Sequence, residues 1–268
     1  MNSIRRRFVS AFALAALVGW VAFHATARRA GADEASALPS AKEVIDRYVS
    51  LTGGRELFSS ITSRKSTGTF EVPAAQMKGS LTVLQALPDL SLVTIDVPGI
   101  GQILRGSNAG VFWEISPMTG ARILDEGEAE EARRQILFEA DLNWEKYFES
   151  AETVGVQSVE GRPAYKVKLV AAADGKVSHF YYDKETGLLV RTDTEVKLQG
   201  NSLPVTTYLG DYKDFNGVKL ATTVRMELAG MEQVIRIESD EHNVKIDPQT
   251  FELPADIKAL QARLMPGK

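Results

Sequence analysis

Val205-Thr-Thr-Tyr-Leu-Gly-Asp-Tyr-Lys-Asp-Phe-Asn-Gly-Val-Lys-Leu-Ala-Thr-Thr-Val-Arg-Met-Glu227, continued by Gln233-Val-Ile-Arg-Ile-Glu238, is the stretch on which the fold turns. Val218, Leu220, Val224 and Met226 share one face at period two, and Lys219, Thr223, Arg225 and Glu227 share the other. That alternation marks a half-buried antiparallel strand. Asn216-Gly217 before it suits the positive backbone angles of a tight hairpin turn, and Ala229-Gly230 marks a second turn. Three long strands therefore run as a meander, each with one face to bury. Helices, a second sheet or a ligand must cover that face.

Toward the N-terminus the same punctuation continues. Turns at Glu160-Gly161-Arg162-Pro163, Asp174-Gly175 and Lys184-Glu-Thr-Gly187 separate predicted strands over 154–159, 164–170, 178–183 and 188–197. Further strands are predicted over 65–72, 79–86, 90–97, 102–105 and 111–115, the last carrying Trp113. Regular turns between short strands predict an antiparallel sheet or barrel, not alternating βαβ units. The strand over 90–97 is apolar on both faces, which predicts cover on both sides. Pro98-Gly99-Ile100-Gly101 lacks the full glycine spacing of a dinucleotide loop and reads as a turn, as does Pro117-Met-Thr-Gly120.

Helices are few. Ser40 and Glu43 form a capping box, followed by an apolar stripe of Val44, Ile45, Tyr48 and Leu51 that stops at Gly53-Gly54. Residues 55–61 read as a second short helix, 128–140 as the one long helix, and 257–264 as a last short one. Asp125, Glu126, Glu128, Glu130 and Glu131 crowd the start of the long helix, where the helix dipole favours negative charge. Trp144, Tyr147 and Phe148 follow in a short apolar cluster.

The N-terminus has the pattern of an export signal. Arg5, Arg6 and Arg7 precede an apolar run from Phe8 to Phe23, and Ala30-Gly31-Ala32 is a small-residue cleavage site, with Ala25-Thr26-Ala27 a second. Residues 1–32 are read as a signal peptide, 33–39 as a polar leader and 40–268 as one domain, which places the protein in the periplasm. An uncleaved inner-membrane anchor is the alternative, because the run approaches the ~18–20 residues a spanning helix needs. Cleavage after Ala32 removes five arginines and no acid, so 31 basic residues fall to 26 against 35 acidic ones. That balance opposes a nucleic-acid partner. The chain has no cysteine, which excludes disulfides, thiolate metal sites, covalent haem attachment and a lipid-modified cysteine.

No motif for chemistry emerges. Beyond the signal there are two histidines, His179 within a strand and His242 at a strand end near Asp240 and Asp247. Asp240, His242 and Asp247 are the best metal-ligand candidates, but no HExxH-like spacing supports them, and there is no Gly-x-Ser-x-Gly elbow. No catalytic residue, metal or cofactor is assigned, and a non-enzymatic protein is expected.

Several phrases together resemble a known family: Ile45-Asp-Arg-Tyr-Val-Ser-Leu-Thr-Gly-Gly54, Ser63-Arg-Lys-Ser-Thr-Gly-Thr-Phe-Glu71, Arg105-Gly-Ser-Asn-Ala-Gly-Val-Phe-Trp113, Pro117-Met-Thr-Gly120, Tyr182-Asp-Lys-Glu-Thr-Gly-Leu-Leu-Val-Arg191 and Asp211-Tyr-Lys-Asp-Phe-Asn-Gly-Val-Lys-Leu220. Their order is similar to that in the outer-membrane lipoprotein-sorting-like proteins of the LolA-like superfamily, periplasmic carriers of Gram-negative bacteria. The resemblance implies a mainly β (α+β) fold: an unclosed antiparallel half-barrel with a few helices covering its concave face. It also implies a hydrophobic cavity for a lipid or lipoprotein acyl chain, envelope membrane proteins as further partners, and no catalytic residues. A monomer is expected. No motif fixes which arginine would lock the helices; Arg64, Arg105 and Arg191 are candidates by lying near strands. Leu81, Val83, Leu92, Ile95, Trp113, Val167 and Phe180 are the candidate cavity positions. Which of them share a face depends on register, since a one-residue slip moves every side chain to the other side. An envelope sensor or protein-interaction module on the same fold is the alternative function, and an uncharacterised hydrolase a third.

Overall fold

The computed structural model describes residues 38–136, 144–198 and 201–264. The expected signal peptide, leader residues 33–37 and residues 137–140 of the predicted long helix lie outside them. The first half of the chain supplies β1 (Ser63–Val72), β2 (Met77–Ala86), β3 (Leu90–Val97), β4 (Gly101–Asn108), β5 (Val111–Ser116) and β6 (Gly120–Ile123). The second supplies β7 (Phe148–Val159), β8 (Arg162–Ala171), β9 (Val177–Asp183), β10 (Leu189–Leu198), β11 (Asn201–Phe215), β12 (Val218–Leu228) and β13 (Met231–His242). The helices are α1 (Ala41–Leu51), α2 (Gly54–Ser59), α3 (Glu126–Ile136), α4 (Trp144–Tyr147) and α5 (Ala255–Leu264).

All thirteen strands form one antiparallel sheet in the order β6-β5-β4-β3-β2-β1-β13-β12-β11-β10-β9-β8-β7. Two meanders thus meet at a single long-range seam, β1 on β13. The hairpins close where the sequence permits positive φ. Asn216 and Gly217 take +54° and +90°, as a primed two-residue turn requires. Ala229 takes +50° before Gly230, a position that strains a residue with a Cβ.

The sheet curls. α3 lies against both β5 and β10, which are eight steps apart in the strand order. In a flat sheet they would stand about 38 Å apart at ~4.8 Å a step. An 11-residue helix is only about 16 Å long. Both strands reach α3 only if the sheet wraps around it, with the helix on the concave side. β6 and β7 remain the two ends, so the sheet is not closed into a barrel.

Register assigns the faces, because directly paired residues point the same way. One row runs Phe112-Ser107-Ser91-Gln85-Arg64-His242 from β5 to β13. Phe70 continues that side of β1 and leads through Ile235 and Val224 to Leu209. A further row runs Gln233-Met226-Thr207-Thr192-Phe180-Val167. At one end of this face Phe112 packs with Leu124 and with Ala132 of α3. At the other, Val167, Leu169, Tyr182 and Leu189 pack with Ala41, Val44, Ile45, Tyr48 and Val49 of α1. Both helices therefore occupy the same concave face.

The convex face carries a different bond. Lys166, Tyr181, Arg191, Tyr208 and Arg225 are directly paired across β8 to β12. Cation and ring alternate along the row, at 5.5, 5.0, 5.6 and 4.0 Å. Each contact adds a modest attraction on top of the backbone ladder.

Most predicted strands are present and extend by one to three residues. Two departures stand out. β6 occupies residues that follow a predicted turn and carry no strand signal. β7 begins at Phe148, six residues before the predicted start. Both are sheet ends, where one edge of the strand pairs with no other strand among the described residues, and on β7 polar residues such as Glu149, Ser150 and Glu152 interrupt the apolar alternation.

Candidate ligand-binding face

Between the α1 cluster and the α3 cluster the concave face is apolar and only half-covered. β2 contributes Leu81 and Val83, β3 Val93 and Ile95, β4 Ile103. β13 contributes Ile235 and Ile237, and β12 Val224 and Met226. Leu81 is buried, as is Phe70 on β1 between β2 and β13, but the others keep intermediate exposure. The convex side of the central strands is mostly polar instead: Lys65, Thr67 and Thr69 on β1 pair with Glu241, Ser239 and Arg236 on β13, and only Glu71 meets an apolar residue, Val234. Apolar side chains in a packed core lose nearly all their exposure. Half-exposed ones on several adjacent strands of the inner side of a curled sheet form a surface on which apolar matter can lie.

One end of this face is polar. Asp240, its side chain fully buried, accepts from Arg64 Nε at 2.9 and 2.6 Å, from Arg64 Nη2 at 2.6 Å and from Ser66 Oγ at 3.0 Å. His242 Nε2 lies 2.9 Å from its other oxygen. The row that holds Arg64 and His242 adds buried Gln85, Ser91 and Ser107. Beside the apolar run on β4 to β6, Glu114 meets Arg105 at 3.1 Å and Arg122 at 3.4 Å, and Arg122 meets Glu128 at 2.8 Å. Glu128 also donates its backbone N–H to Asp125 Oδ1 at 2.9 Å. Part of the acidic run thus fastens the start of α3 to β6.

The seven sequence-derived cavity positions separate by register. Leu81, Val83, Ile95, Val167 and Phe180 lie on the helix-bearing face. Leu92 and Trp113 lie on the opposite face, both paired with Gly106. A Cβ on Gly106 would come within 2.5 Å of the Trp113 ring, so the indole packs directly over that glycine. Trp113 is 3% exposed, and its Nε1 has no hydrogen-bond partner.

The metal candidates Asp240, His242 and Asp247 are put to other uses. Asp240 holds Arg64 and His242, whereas Asp247 caps the turn Pro248–Phe251 by accepting from Gln249 N at 3.0 Å. His179 faces Lys168 and Asp193 on the convex side. Burial first, then the charge on Lys166, hold its pKa below the ordinary imidazole value.

Of the three arginines singled out near strands, Arg64 serves Asp240, Arg105 serves Glu114, and Arg191 binds Asp193. Arg122 ties α3 to β6, and α1 is tied to the sheet by an arginine of its own, Arg47. Its Nη1 and Nη2 donate to the carbonyls of Lys184 and Glu185 at 3.1 and 2.7 Å. Gly187 in that turn leaves the room: a Cβ there would stand 2.7 Å from Arg47 Nε. The glycine was visible in the sequence as a turn, but its partner 140 positions away was not.

No helix among the described residues is long and apolar enough to cross a membrane. No protein-family model and no curated protein matches this sequence. Solved structures do match. A DUF1329 family protein from Desulfovibrio piger is 16% identical with a TM-score of 0.55, over 79% of this chain and 97% of that one. A LolA superfamily protein from Nitrosomonas europaea is 13% identical with a TM-score of 0.53, over 81% and 99%. A putative outer membrane lipoprotein-sorting protein domain from Vibrio parahaemolyticus is 14% identical with a TM-score of 0.49, over 78% and 95%. At low identity, the chain has a fold similar to that of LolA superfamily proteins.

Proposed function

We propose that this protein is an exported, non-enzymatic binding or carrier protein for a lipid, a lipoprotein acyl chain or another apolar ligand in the bacterial envelope. The observation that carries the reading is the half-exposed apolar surface on the concave face, opposed by mostly polar side chains on the convex face of β1 and β13. The LolA-like fold supports it. Leu81, Val83, Ile95, Val167 and Phe180 line the ligand's path in this reading, and Leu92 and Trp113 pack behind it. Each methylene moved from water onto such a surface contributes about 0.8 kcal/mol before the costs of association. Mass spectrometry of solvent extracts from the purified protein tests the reading. Acyl lipids in stoichiometric amount are expected; protein that carries none and takes none up overturns it. Export places the mature N-terminus near Asp33, and N-terminal sequencing of periplasmic protein should read from there. Met1 intact in a membrane fraction would replace export by anchoring.

A second reading, a protein-interaction module, rests on β7. It is one of the two terminal strands in the sheet of the described residues and leaves Val154 and Val156 exposed. A partner strand could add to that edge. Proline substitutions along β7 that abolish partner capture but spare acyl binding would favour it.

A further inference from the structure

We infer that the ligand is a single-chain amphiphile with an anionic head, held with the head at Arg64 and the chain along β2, β3 and β13. This rests on the acyl-binding reading and adds the chemistry of the head and the direction of the chain. Four adjacent strands change character at the same level. On the concave side β1 runs Arg64, Ser66, then Gly68, Phe70, Val72; β13 runs His242, Asp240, then Ile237, Ile235. On the same side β2 runs Gln85, then Val83, Leu81, Gly79, and β3 runs Ser91, then Val93, Ile95, Val97. Beyond the polar rows lie six residues of β1 with apolar neighbours, roughly 20 Å at ~3.3 Å per residue. A face sorted in this way fits a ligand sorted in the same way.

Arg64 is the one permanent cation on this face of β1, β2, β3 and β13. Asp240 grips one edge of its guanidinium, through Nε and Nη2. Asp240 is itself fixed by Ser66 and His242, so the group is held in place before any ligand arrives. Nη1 has no partner among the described residues, and the side chain stays 24% exposed. A planar guanidinium with one edge fixed and one edge open is the group that carboxylates and phosphates engage. Arg105 and Arg122, also on the concave side, are already shared between Glu114 and Glu128.

Competition for a bound fluorescent acyl probe on delipidated full-chain protein tests this. The competitors are palmitate, hexadecyl phosphate and hexadecanol. Either anion should displace the probe at tenfold or more lower concentration than the alcohol, and the better of the two identifies the head as carboxylate or phosphate. Arg64→Met should remove the preference and leave hexadecanol unchanged, while Arg64→Lys keeps part of it. Since Arg64→Met strands a buried carboxylate, Arg64→Met/Asp240→Asn is the folded companion, checked by circular dichroism. Equal competition by all three in the wild type, no competition by any of them, or an Arg64 variant that weakens all three alike, overturns the inference while probe binding keeps the acyl reading. Absence of probe binding removes both.

Discussion

Trp113 shows how one side chain can be legible in kind and not in place. Its strand, its size and its burial follow from the sequence, but its face depends on pairing with Gly106, and register is a property of two strands at once. The indole covers the bare backbone of Gly106 on the convex side. Trp113→Ala should cost about 3–5 kcal/mol, as large aromatic truncations do, read by urea denaturation, and should leave acyl binding unchanged in the folded fraction. Trp144 packs against the concave α1 cluster instead, so ligand-induced change in tryptophan emission should vanish in Trp144→Phe and persist in Trp113→Phe. Tyr181 makes a separate prediction. Burial first, and then its hydrogen bond to Asp193, push its phenol up to about 12. The unfolded value lies near ~10, so this contribution is whole below about pH 10 and is lost as pH rises toward about 12. Stability measured across that window should fall, and Tyr181→Phe should flatten the fall.

At the scale of elements, local signals are legible in the sequence and sheet edges are not. The capping box of α1 forms as its spacing predicts: Glu43 N donates to Ser40 Oγ at 3.2 Å, and Ser40 N donates to Glu43 Oε2 at 2.8 Å. Ser40→Ala should cost about 1 kcal/mol, measured as a lower denaturation midpoint with an unchanged slope. The turn at Ala229 is a place where the sequence departs from what its backbone wants. With φ at +50°, Ala229→Asn should stabilise the β12–β13 hairpin by up to about 1 kcal/mol, because asparagine tolerates the left-handed region. A lower melting temperature would contradict that account. The terminal strands escaped the period-two pattern because only one of their edges is paired, and partial exposure lets charge into the alternation.

The whole molecule depends on contacts that no local pattern encodes. The seam of β1 with β13 joins positions far apart in the chain, and Arg64, Asp240 and His242 come together only through it. The sequence showed His242 beside Asp240 but gave no sign that Arg64 closes the group. Fold class, by contrast, was legible from turn spacing, because every sheet neighbour except that seam is also a chain neighbour. The central claim is that the concave face, and not the convex one, takes the acyl chain. Equilibrium titration of delipidated protein with a fluorescent acyl probe, comparing wild type with Ile95→Lys on the concave face and Thr94→Lys on the convex face, tests it most directly. Saturable 1:1 binding, weakened tenfold or more by Ile95→Lys and unchanged by Thr94→Lys, is the expected result. No saturable uptake by the wild type, or equal loss in both folded variants, would contradict the account.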